Sequence, residues 1–283
     1  MRIAVTGGSG KAGRWVVREL RERGHDVRNL DAVADGATHG STLITNLTDL
    51  GQTLEATAAI DAIVHLAAVP GARKRPMGET FRINALSTYN VFAAAEAHRM
   101  RRVVWASSDT VLGLPYDEPP PYVPVDEATE PRPGSSYALS KLVGEVMGEQ
   151  FARRTGIPFL ALRLANIVAP DDYSSFPGLW ADPTSRRWNL WDFIDVRDVA
   201  QAVRRGLEAE LAGAHVCIVA AAETMMPRAS ASLMAEGFPD VPIRRSLVGR
   251  ESLLSSERAR RLLGYVPEHR WSDHIPDPSP QDA

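Results

Sequence analysis

Apolar positions along the first half of the chain follow two alternating spacings, one typical of strands and the other of helices. The first apolar run, at 2–5, predicts a strand, and the positions at 15–20 have helical spacing. Further strands are predicted at 25–30, 42–44, 61–68, 102–106, 157–164 and 214–219. Further helices are predicted at 50–59, 79–99, 135–155, 195–210, 227–235 and 255–263. This alternation indicates an α/β fold whose parallel sheet is covered by helices on both faces.

The composition permits one large α/β domain, or one domain with a small appendage, because 44% of the 283 residues are hydrophobic. The formal net charge of −3 at pH 7 gives no bulk attraction to nucleic acid or to an anionic membrane. Cys217 is the one cysteine, so no internal disulfide can form, and its apolar neighbours favour a buried core residue. No apolar run has the length of a membrane span, and the chain begins with a strand rather than a signal peptide. We therefore expect a cytoplasmic protein without a nucleic-acid or membrane partner, and no residue is assigned to a metal.

A glycine-rich stretch, residues 6–13, joins the first predicted strand to the first predicted helix. Its glycines follow the spacing G-x-x-G-x-x-G. Glycine lets the backbone turn tightly and lets a pyrophosphate approach closely, and the helix N-terminus presents unpaired N–H groups to the anion. The stretch therefore predicts the phosphate site of a dinucleotide. The residues assigned to it are Gly7, Ser9, Gly10, Lys11, Ala12 and Gly13.

Asp31 closes the second predicted strand, roughly 20 residues after the glycine turn, as in dinucleotide-binding folds. A carboxylate at this point accepts hydrogen bonds from the adenosine ribose hydroxyls and repels a 2′-phosphate. Asp31 therefore favours NAD over NADP as the cofactor. Lys11 and Arg28 point the other way, because a basic residue near the turn can hold a 2′-phosphate.

Tyr137 and Lys141 are four residues apart on a predicted helix, so their side chains share one face. A tyrosine with the ordinary pKa of about 10 is a poor base. A nearby ammonium and the positive nicotinamide ring would favour the phenolate, and a pKa lower by about 3 units needs roughly 4 kcal/mol. Ser107 and Ser108 end the fifth predicted strand. This combination predicts a general base beside a hydroxyl that positions the reacting oxygen.

Together these motifs resemble the extended short-chain dehydrogenase/reductases, in the NAD-dependent epimerase/dehydratase group, over about residues 1–205. The resemblance implies a Rossmann-type doubly wound parallel sheet with a small C-terminal substrate-binding part. We expect residues 1–165 to form the NAD-binding domain, including the helix of the catalytic tyrosine and lysine. Residues 166–275 would form the C-terminal part, in which about 190–220 returns to the core, and 276–283 would be a disordered tail.

Further motifs of the family match this chain and imply more cofactor contacts. Asn46 and Leu47 stand where the family contacts adenine, and 65–68 matches its H-x-A-A element. The segments 83–91, 163–170 and 192–200 resemble three later family motifs, although Ala169 replaces the usual glycine. The cofactor contacts implied in this way are Asn46, Leu47, Leu66, Ala67, Ala68, Asn84, Ser107, Tyr137, Lys141 and Leu164.

The family mechanism gives roles to the catalytic residues Ser108, Tyr137 and Lys141. Ser108 would hydrogen-bond the reacting oxygen, Tyr137 would remove the hydroxyl proton as hydride passes to the nicotinamide, and Lys141 would hold the nicotinamide ribose. Dehydratases of the group carry S-T-D-E where this chain has Ser-Ser-Asp-Thr at 107–110, so a full 4,6-dehydratase is not expected. Asp109 remains a candidate proton donor or a loop-capping carboxylate.

The substrate residues are assigned from the loops that surround this predicted centre. Basic side chains at 73–75 and 186–187 are either solvated loop charges or partners for a substrate carboxylate or phosphate. Tryptophans at 180, 188 and 191 either stack on the substrate or pack in a lid. The substrate-binding assignments are Arg73, Ser108, Asp109, Asn166 and Arg187.

The short C-terminal part resembles uronate dehydrogenases and related small-sugar enzymes. Asp109 in place of asparagine, and a loop at 69–75 without serine, depart from that pattern. The leading hypothesis is an NAD(P)-dependent oxidoreductase that transfers hydride at a secondary alcohol or ketone carbon of a sugar, sugar acid or related small substrate. An NDP-sugar 4-epimerase with tightly bound NAD and a non-catalytic cofactor-sensing protein are the alternatives. The resemblance also implies a homodimer that pairs through the helices of Asn84 and Tyr137.

Overall fold

The computed structural model describes residues 1–34, 41–71, 75–116 and 118–278. Within these ranges, seven strands form one sheet in which every neighbouring pair is parallel, and two short strands form a second parallel sheet. The strands are β1 (Arg2–Thr6), β2 (Asp26–Asp31), β3 (Thr42–Ile44), β4 (Ala62–His65), β5 (Arg102–Ser108), β6 (Phe159–Leu164), β7 (Ile167–Val168), β8 (Ile194–Asp195) and β9 (Ala214–Val219). The large sheet has the order β3-β2-β1-β4-β5-β6-β9, and the small sheet pairs β7 with β8. The predicted parallel α/β fold is thus confirmed.

Helices connect the strands and cover the sheet. They are α1 (Lys11–Glu22), α2 (Leu50–Ala56), α3 (Met77–Ala97), α4 (Ser136–Thr155), α5 (Pro177–Trp180), α6 (Val196–Glu208), α7 (Ser230–Gly237) and α8 (Glu257–Leu263). Short 3-10 segments lie at Asp109–Leu112, Pro170–Ser175, Pro183–Asn189 and Trp271–Asp273. None of the helices in the described ranges is long and apolar enough to cross a membrane.

The central strands are continuous apolar runs because helices cover both of their faces. Every residue of β4 and of β6 is buried. Successive side chains of a strand point to opposite faces, so Val104 and Trp105 of β5 belong to apolar cores on opposite sides of the sheet. Helix α6 packs on the same side as α1, where Arg204 forms an ion pair with Glu19 at 2.7 Å.

Helix α4 lies close against β5 because the contact uses a glycine and a group of edge-to-face aromatic rings. A Cβ atom added to Gly144 would lie 2.7 Å from Cη2 of Trp105, so only glycine permits this approach. Phe92 of α3 packs edge-to-face on Trp105 and Phe159, with ring centroids 5.7 Å and 4.8 Å apart. This packing fixes the height of α4, and hence of Tyr137 and Lys141, above the carboxyl end of β5.

The chain after β6 forms loops above the sheet and then returns to it. Strand β9 pairs with β6 at the edge of the large sheet, with Leu164 beside Val219. In chain order, β7 and β8 flank the 3-10 segments Pro170–Ser175 and Pro183–Asn189, and α6 follows β8 directly. The predicted division at residue 165 stays a proposal, and the last five residues of the predicted tail, 279–283, lie outside the described residues.

Candidate active site

The glycine turn folds against itself and against the loop after β4. Gly7 has a φ of +70°, in the left-handed region that favours glycine, and its N–H donates to the carbonyl oxygen of Leu30 at 2.8 Å. A Cβ atom at Gly7 would lie 2.6 Å from the backbone nitrogen of Ala67, and one at Gly13 would lie 2.0 Å from the Gly7 carbonyl oxygen. Any side chain at either position would therefore open the turn.

The N-terminus of α1 is free to receive an anion. Its N-cap residue is Gly10, whose backbone is extended and which has no side chain to accept hydrogen bonds from the first turn. The first N–H groups of a helix lack intrahelical partners and lie at the positive end of the helix dipole. The cap geometry therefore suits the pyrophosphate of a dinucleotide, as the sequence predicts.

A cavity of about 620 Å³ opens beside the turn, within the range of small-molecule sites. Its walls come from the turn, the ends of β2 and β4, the loop after β3 and the start of α3. The predicted cofactor residues that line it are Gly7, Gly10, Asp31, Asn46, Leu47, Leu66, Ala67 and Ala68. The structure thus brings the predicted adenosine-side contacts together around one space.

Asp31 faces this cavity with an anchored carboxylate. It accepts hydrogen bonds from the N–H of Ser9 at 3.0 Å and from the N–H of Ala32 at 2.7 Å. Both residues that could favour a 2′-phosphate are engaged elsewhere. Arg28 donates to the carbonyl oxygens at the end of α2, at 2.8 Å and 3.1 Å, and Lys11 forms an ion pair with Asp172 at 2.7 Å. This geometry is compatible with the predicted role of Asp31, and its contact with the ribose stays a prediction.

Asn84 acts on the loop after β4 rather than on the cavity surface. Its Oδ1 accepts from the N–H of Val69 at 2.8 Å, and its Nδ2 donates to the Val69 carbonyl oxygen at 3.2 Å. Asn46 instead orders its own turn, because its Oδ1 accepts from the N–H of Thr48 at 3.1 Å. Direct contact of either amide with the cofactor stays a prediction.

Ser108, Tyr137 and Lys141 meet at the carboxyl end of β5. Helix α4 begins just before the tyrosine, and Ser135 caps it by accepting from the N–H of Ala138 at 3.1 Å. The Lys141 ammonium donates to the Ala106 carbonyl oxygen at 2.7 Å and lies 5.6 Å from the centroid of the Tyr137 ring. The Ser108 hydroxyl lies near the Tyr137 hydroxyl and lowers the pKa of that group. The three residues predicted to be catalytic are thus one contiguous group.

Burial dominates the protonation of this group. Burial and, to a smaller extent, the Asp109 carboxyl raise the pKa of Tyr137 to about 12 against the opposing effect of Ser108. Burial lowers the pKa of Lys141 to about 8, because the charged ammonium loses its water. Tyr137 therefore needs a further positive charge nearby to act as a base near neutral pH.

Four ionisable side chains, which we call the buried cluster, surround the catalytic group: Asp109, Tyr116, Arg186 and Asp192. Asp109 is only 6% exposed, and burial raises its pKa to about 7 against the opposing effects of Ser108, Thr110 and Arg186. Burial also raises the pKa of Asp192, and Asp109 adds to that shift. The Tyr116 hydroxyl is buried and has no hydrogen-bond partner among the described residues.

Arg186, rather than the assigned Arg187, faces this cluster. The Arg187 side chain is exposed and lies over the ring of Phe238, 4.6 Å from its centroid. Arg186 stacks on Trp188 at 4.7 Å, and its Nε and Nη2 are buried without a hydrogen-bond partner in the described part of the chain. The two adjacent arginines therefore differ in their surroundings, although the sequence gives no reason to distinguish them.

The chain just after Arg186 has a strained backbone that is held in place by packing. Leu190 and Trp191 both have positive φ angles, +57° and +56°, which cost non-glycine residues roughly 1–3 kcal/mol each. Burial of both side chains and a hydrogen bond of 2.6 Å from Trp191 Nε1 to the Pro183 carbonyl oxygen offset that cost. Strained loop residues of this kind cluster at functional sites.

The other predicted residues lie around the same edge of the sheet. Leu164 is paired with Ser108 across β5 and β6, and half-buried Asn166 follows it, where its carbonyl oxygen accepts from Ile194 at 2.9 Å. Ser107 turns its hydroxyl toward α4 and donates to Glu145 at 2.6 Å. Arg73 lies outside the described residues.

The fold and the glycine turn define the class of nicotinamide-dependent oxidoreductases with a Rossmann-type sheet. The sequence profile described as the NAD dependent epimerase/dehydratase family matches residues 3–220, and the chain belongs to this family.

Two curated relatives are similar over most of the chain. An L-arabinose 1-dehydrogenase (NAD(P)(+)) of Haloferax volcanii is 30% identical over 223 residues, 74% of this chain and 84% of that protein. A uronate dehydrogenase of Pseudomonas syringae pv. tomato is 30% identical over 213 residues, 73% of this chain and 69% of that protein.

A solved structure with the same fold is a short-chain dehydrogenase/reductase superfamily protein from Agrobacterium tumefaciens with bound NAD. It superposes with a TM-score of 0.75 at 23% identity, over 96% of this chain and 94% of that chain. These comparisons confirm the predicted family, the NAD-dependent enzyme class and NAD as cofactor. The assignments of individual site residues stay predictions.

Proposed function

We propose that the protein is an NAD-dependent dehydrogenase of a sugar acid, with hydride transfer at a secondary alcohol or ketone carbon. The observation that supports it most directly is the position of Arg186. Two nitrogens of its guanidinium are buried without a hydrogen-bond partner among the described residues, and its charge acts on Asp109 beside Ser108 and Tyr137. Leaving such donors unpaired is costly, so the site favours a ligand that accepts from them.

The residues of this chain would have distinct roles in binding the cofactor and in hydride transfer. The N-terminus of α1 and the glycine turn would hold the pyrophosphate, and Asp31 would accept from the adenosine ribose. NAD supplies the hydride acceptor and a positive nicotinamide ring when it is bound. Ser108 would hydrogen-bond the substrate oxygen, and Tyr137 would accept its proton. Lys141 lies one helical turn from Tyr137, where its charge favours the phenolate.

A carboxylate is the substrate group that fits Arg186 best. A guanidinium presents donors in a planar fork that matches two carboxylate oxygens, and such charge-assisted bonds are about twice as strong as neutral ones. The indole of Trp188 fixes the plane of this fork by stacking. By their names, the two relatives act on a sugar and on a sugar acid, and Arg186 favours the acid for this chain.

NADH formation with matched substrates tests this proposal. D-galacturonate and D-galactose share one ring and differ at the carbon that bears the carboxylate. We expect kcat/KM to be higher for the acid, and we expect Arg186→Gln to reduce it by about 10- to 100-fold, as the loss of a charged hydrogen-bonding group implies. The same change should leave galactose turnover within about twofold of wild type, and Arg187→Gln is the matched control for both substrates.

The same assay separates the alternative functions. Interconversion of UDP-galactose and UDP-glucose without net NADH, by protein that purifies with NAD, would identify a 4-epimerase. Tyr137→Phe removes the proton acceptor and keeps the ring, so a dehydrogenase should lose at least about 100-fold in kcat. Unchanged cellular function of that variant would instead favour a cofactor-sensing role.

We also propose that two copies of the chain pair through α3 and α4. Their outer faces expose Leu86, Tyr89, Leu139 and Val146, at 36%, 45%, 43% and 54%. Clustered exposed apolar side chains mark interaction surfaces. Light scattering after gel filtration should show a dimer, and Tyr89→Glu combined with Val146→Glu should give a monomer. Val248→Glu, at a residue 77% exposed elsewhere, is the control.

The division into residues 1–165 and 166–275 and the cytoplasmic location also remain part of this proposal. The division is supported by the order of the elements, since the glycine turn and α4 both precede residue 165. Limited proteolysis tests it, because the exposed loop at 181–188, in the C-terminal part, should be cut before the buried strands on either side of residue 165. Fractionation of cells that make the tagged protein tests the location.

A further inference from the structure

Asp109 is surrounded by ionisable groups from every element that packs against it. Ser108 precedes it on β5, and Tyr137 faces it from α4, with Lys141 one turn behind. The loop after the first 3-10 segment contributes Tyr116. Arg186 approaches from the segment Pro183–Asn189, and Asp192 from the residues before β8. Asp109 thus lies among one guanidinium, one ammonium, two phenols and a second carboxyl.

The buried cluster holds two carboxyls and one guanidinium. Arg186 is its guanidinium, and Asp109 and Asp192 are its carboxyls. Asp192 is held by the Ser252 hydroxyl and by the N–H of Leu253 at 3.2 Å, whereas Asp109 accepts from the Ser108 hydroxyl at 3.1 Å. Arg186 stabilises the Asp109 carboxylate through its charge, while its Nε and Nη2 have no hydrogen-bond partner among the described residues.

We propose that Asp109 takes up a proton when an anionic substrate binds to Arg186, and that the protonated carboxyl then donates a hydrogen bond to that substrate. This inference rests on the proposed function, since it assumes that Arg186 receives an acid group. The bound anion repels a negative charge on Asp109. It also pairs with Arg186, whose positive charge otherwise stabilises the ionised Asp109 carboxylate against the effect of burial. Both effects favour the neutral carboxyl.

Asp109 is suited to this response near neutral pH. Burial raises its pKa to about 7, so the unliganded protein holds the proton only part of the time at that pH. An acid substrate that raises the pKa of Asp109 further causes the protein to take up the remaining fraction of a proton on binding. The affinity for the acid should therefore fall by up to about tenfold per pH unit once the pH exceeds the value in the free protein. A neutral sugar should show no such fall.

Calorimetry in buffers of different ionisation enthalpy measures the proton directly. The protein is saturated with NADH, which prevents oxidation, and titrated with D-galacturonate at about pH 7.5, where a linked group of this kind is partly ionised. Phosphate and Tris differ in ionisation enthalpy, so the difference in heat counts protons. We expect uptake of about half a proton or more per acid bound, and none with D-galactose.

Two variants identify the group that takes up the proton. Asp109→Asn is isosteric and cannot ionise, so proton uptake should disappear, and galacturonate should bind more tightly than to wild type at about pH 8.5. Asp192→Asn, the matched change at the second carboxyl, should retain the uptake. A variant that only disturbed packing would weaken binding at every pH, whereas this proposal predicts a change in the pH slope.

Each outcome supports or overturns the role proposed for Asp109. Proton uptake with the acid that is lost in Asp109→Asn supports the inference. Galacturonate binding without proton uptake, or uptake that persists in Asp109→Asn or vanishes only in Asp192→Asn, overturns it and leaves the proposed function standing. Galacturonate that binds no better than galactose, with Arg186→Gln unchanged, overturns the proposed function itself.

Discussion

Arg163 and Glu145 form a bidentate ion pair that joins β6 to α4, the helix of Tyr137 and Lys141. Arg163 donates from Nε at 2.9 Å and from Nη2 at 2.8 Å to the two carboxylate oxygens of Glu145, and their side chains are only 5% and 7% exposed. Glu145 also accepts from the Ser107 hydroxyl at 2.6 Å. Glu145 follows Lys141 by one turn of α4, so this pair sets the register of the helix against the strands that end in Ser108.

Glu145→Ala should destabilise the protein by about 3–5 kcal/mol, because it leaves a buried guanidinium without its partner. Chemical denaturation measures this free energy of unfolding. The matched control is Glu22→Ala, which removes a carboxylate from the exposed pair with Arg18 and should cost less than about 1 kcal/mol. Equal effects of the two changes would mean that the buried pair does not hold α4 in place.

Asp109 should make the fold less stable as the pH rises. Its pKa is about 7 in the folded protein and 3.8 in its ordinary state, so between these values the folded state holds a proton that the unfolded state has lost. The stability contribution therefore falls as pH rises through this window and is constant above it. Asp109→Asn should raise the free energy of unfolding relative to wild type by roughly 2–3 kcal/mol more at pH 8 than at pH 5.

Thermal melts of both proteins across this pH range provide the measurement. Asp171→Asn, which changes an exposed carboxyl in the 3-10 segment after β7, is the control and should give parallel curves. Parallel curves for Asp109→Asn as well would show that Asp109 ionises as it does in the unfolded chain.

Asp31→Asn should weaken the preference for NAD over NADP. The asparagine keeps the shape but loses the negative charge that repels a 2′-phosphate and strengthens hydrogen bonds to ribose. We expect the Kd for NAD to rise about tenfold and that for NADP to stay the same or fall. Fluorescence titration with NADH and NADPH measures both, and Asp26→Asn at the exposed start of β2 is the control. A preference unchanged by Asp31→Asn would move the selection to another residue.

The large sheet could be predicted because its buried strands are apolar runs bounded by polar turns, and the proximity of Tyr137 and Lys141 could be predicted because they share one helix. The strands β7 and β8 could not be predicted, because two residues are too few to show the apolar pattern of a strand. The roles of Arg186 and Arg187 could not be separated either. They are neighbours in a 3-10 segment, and contacts with Trp188 and Phe238 decide which of them turns inward. The ion pair of Glu145 and Arg163 joins different elements, so no local pattern indicates it.

The glycine turn gives the sharpest steric prediction. An alanine at Gly13 would place its Cβ 2.0 Å from the Gly7 carbonyl oxygen, so the turn must open. Its N–H groups would then no longer point at the pyrophosphate. We expect Gly13→Ala to weaken NAD binding by at least about 100-fold, whereas Gly78→Ala, at a helical position with nothing within 4 Å, should bind NAD as wild type does. Circular dichroism of both variants separates a local change in the turn from unfolding. Tight NAD binding by a folded Gly13→Ala variant would mean that the cofactor does not depend on the close approach of backbone that this turn provides.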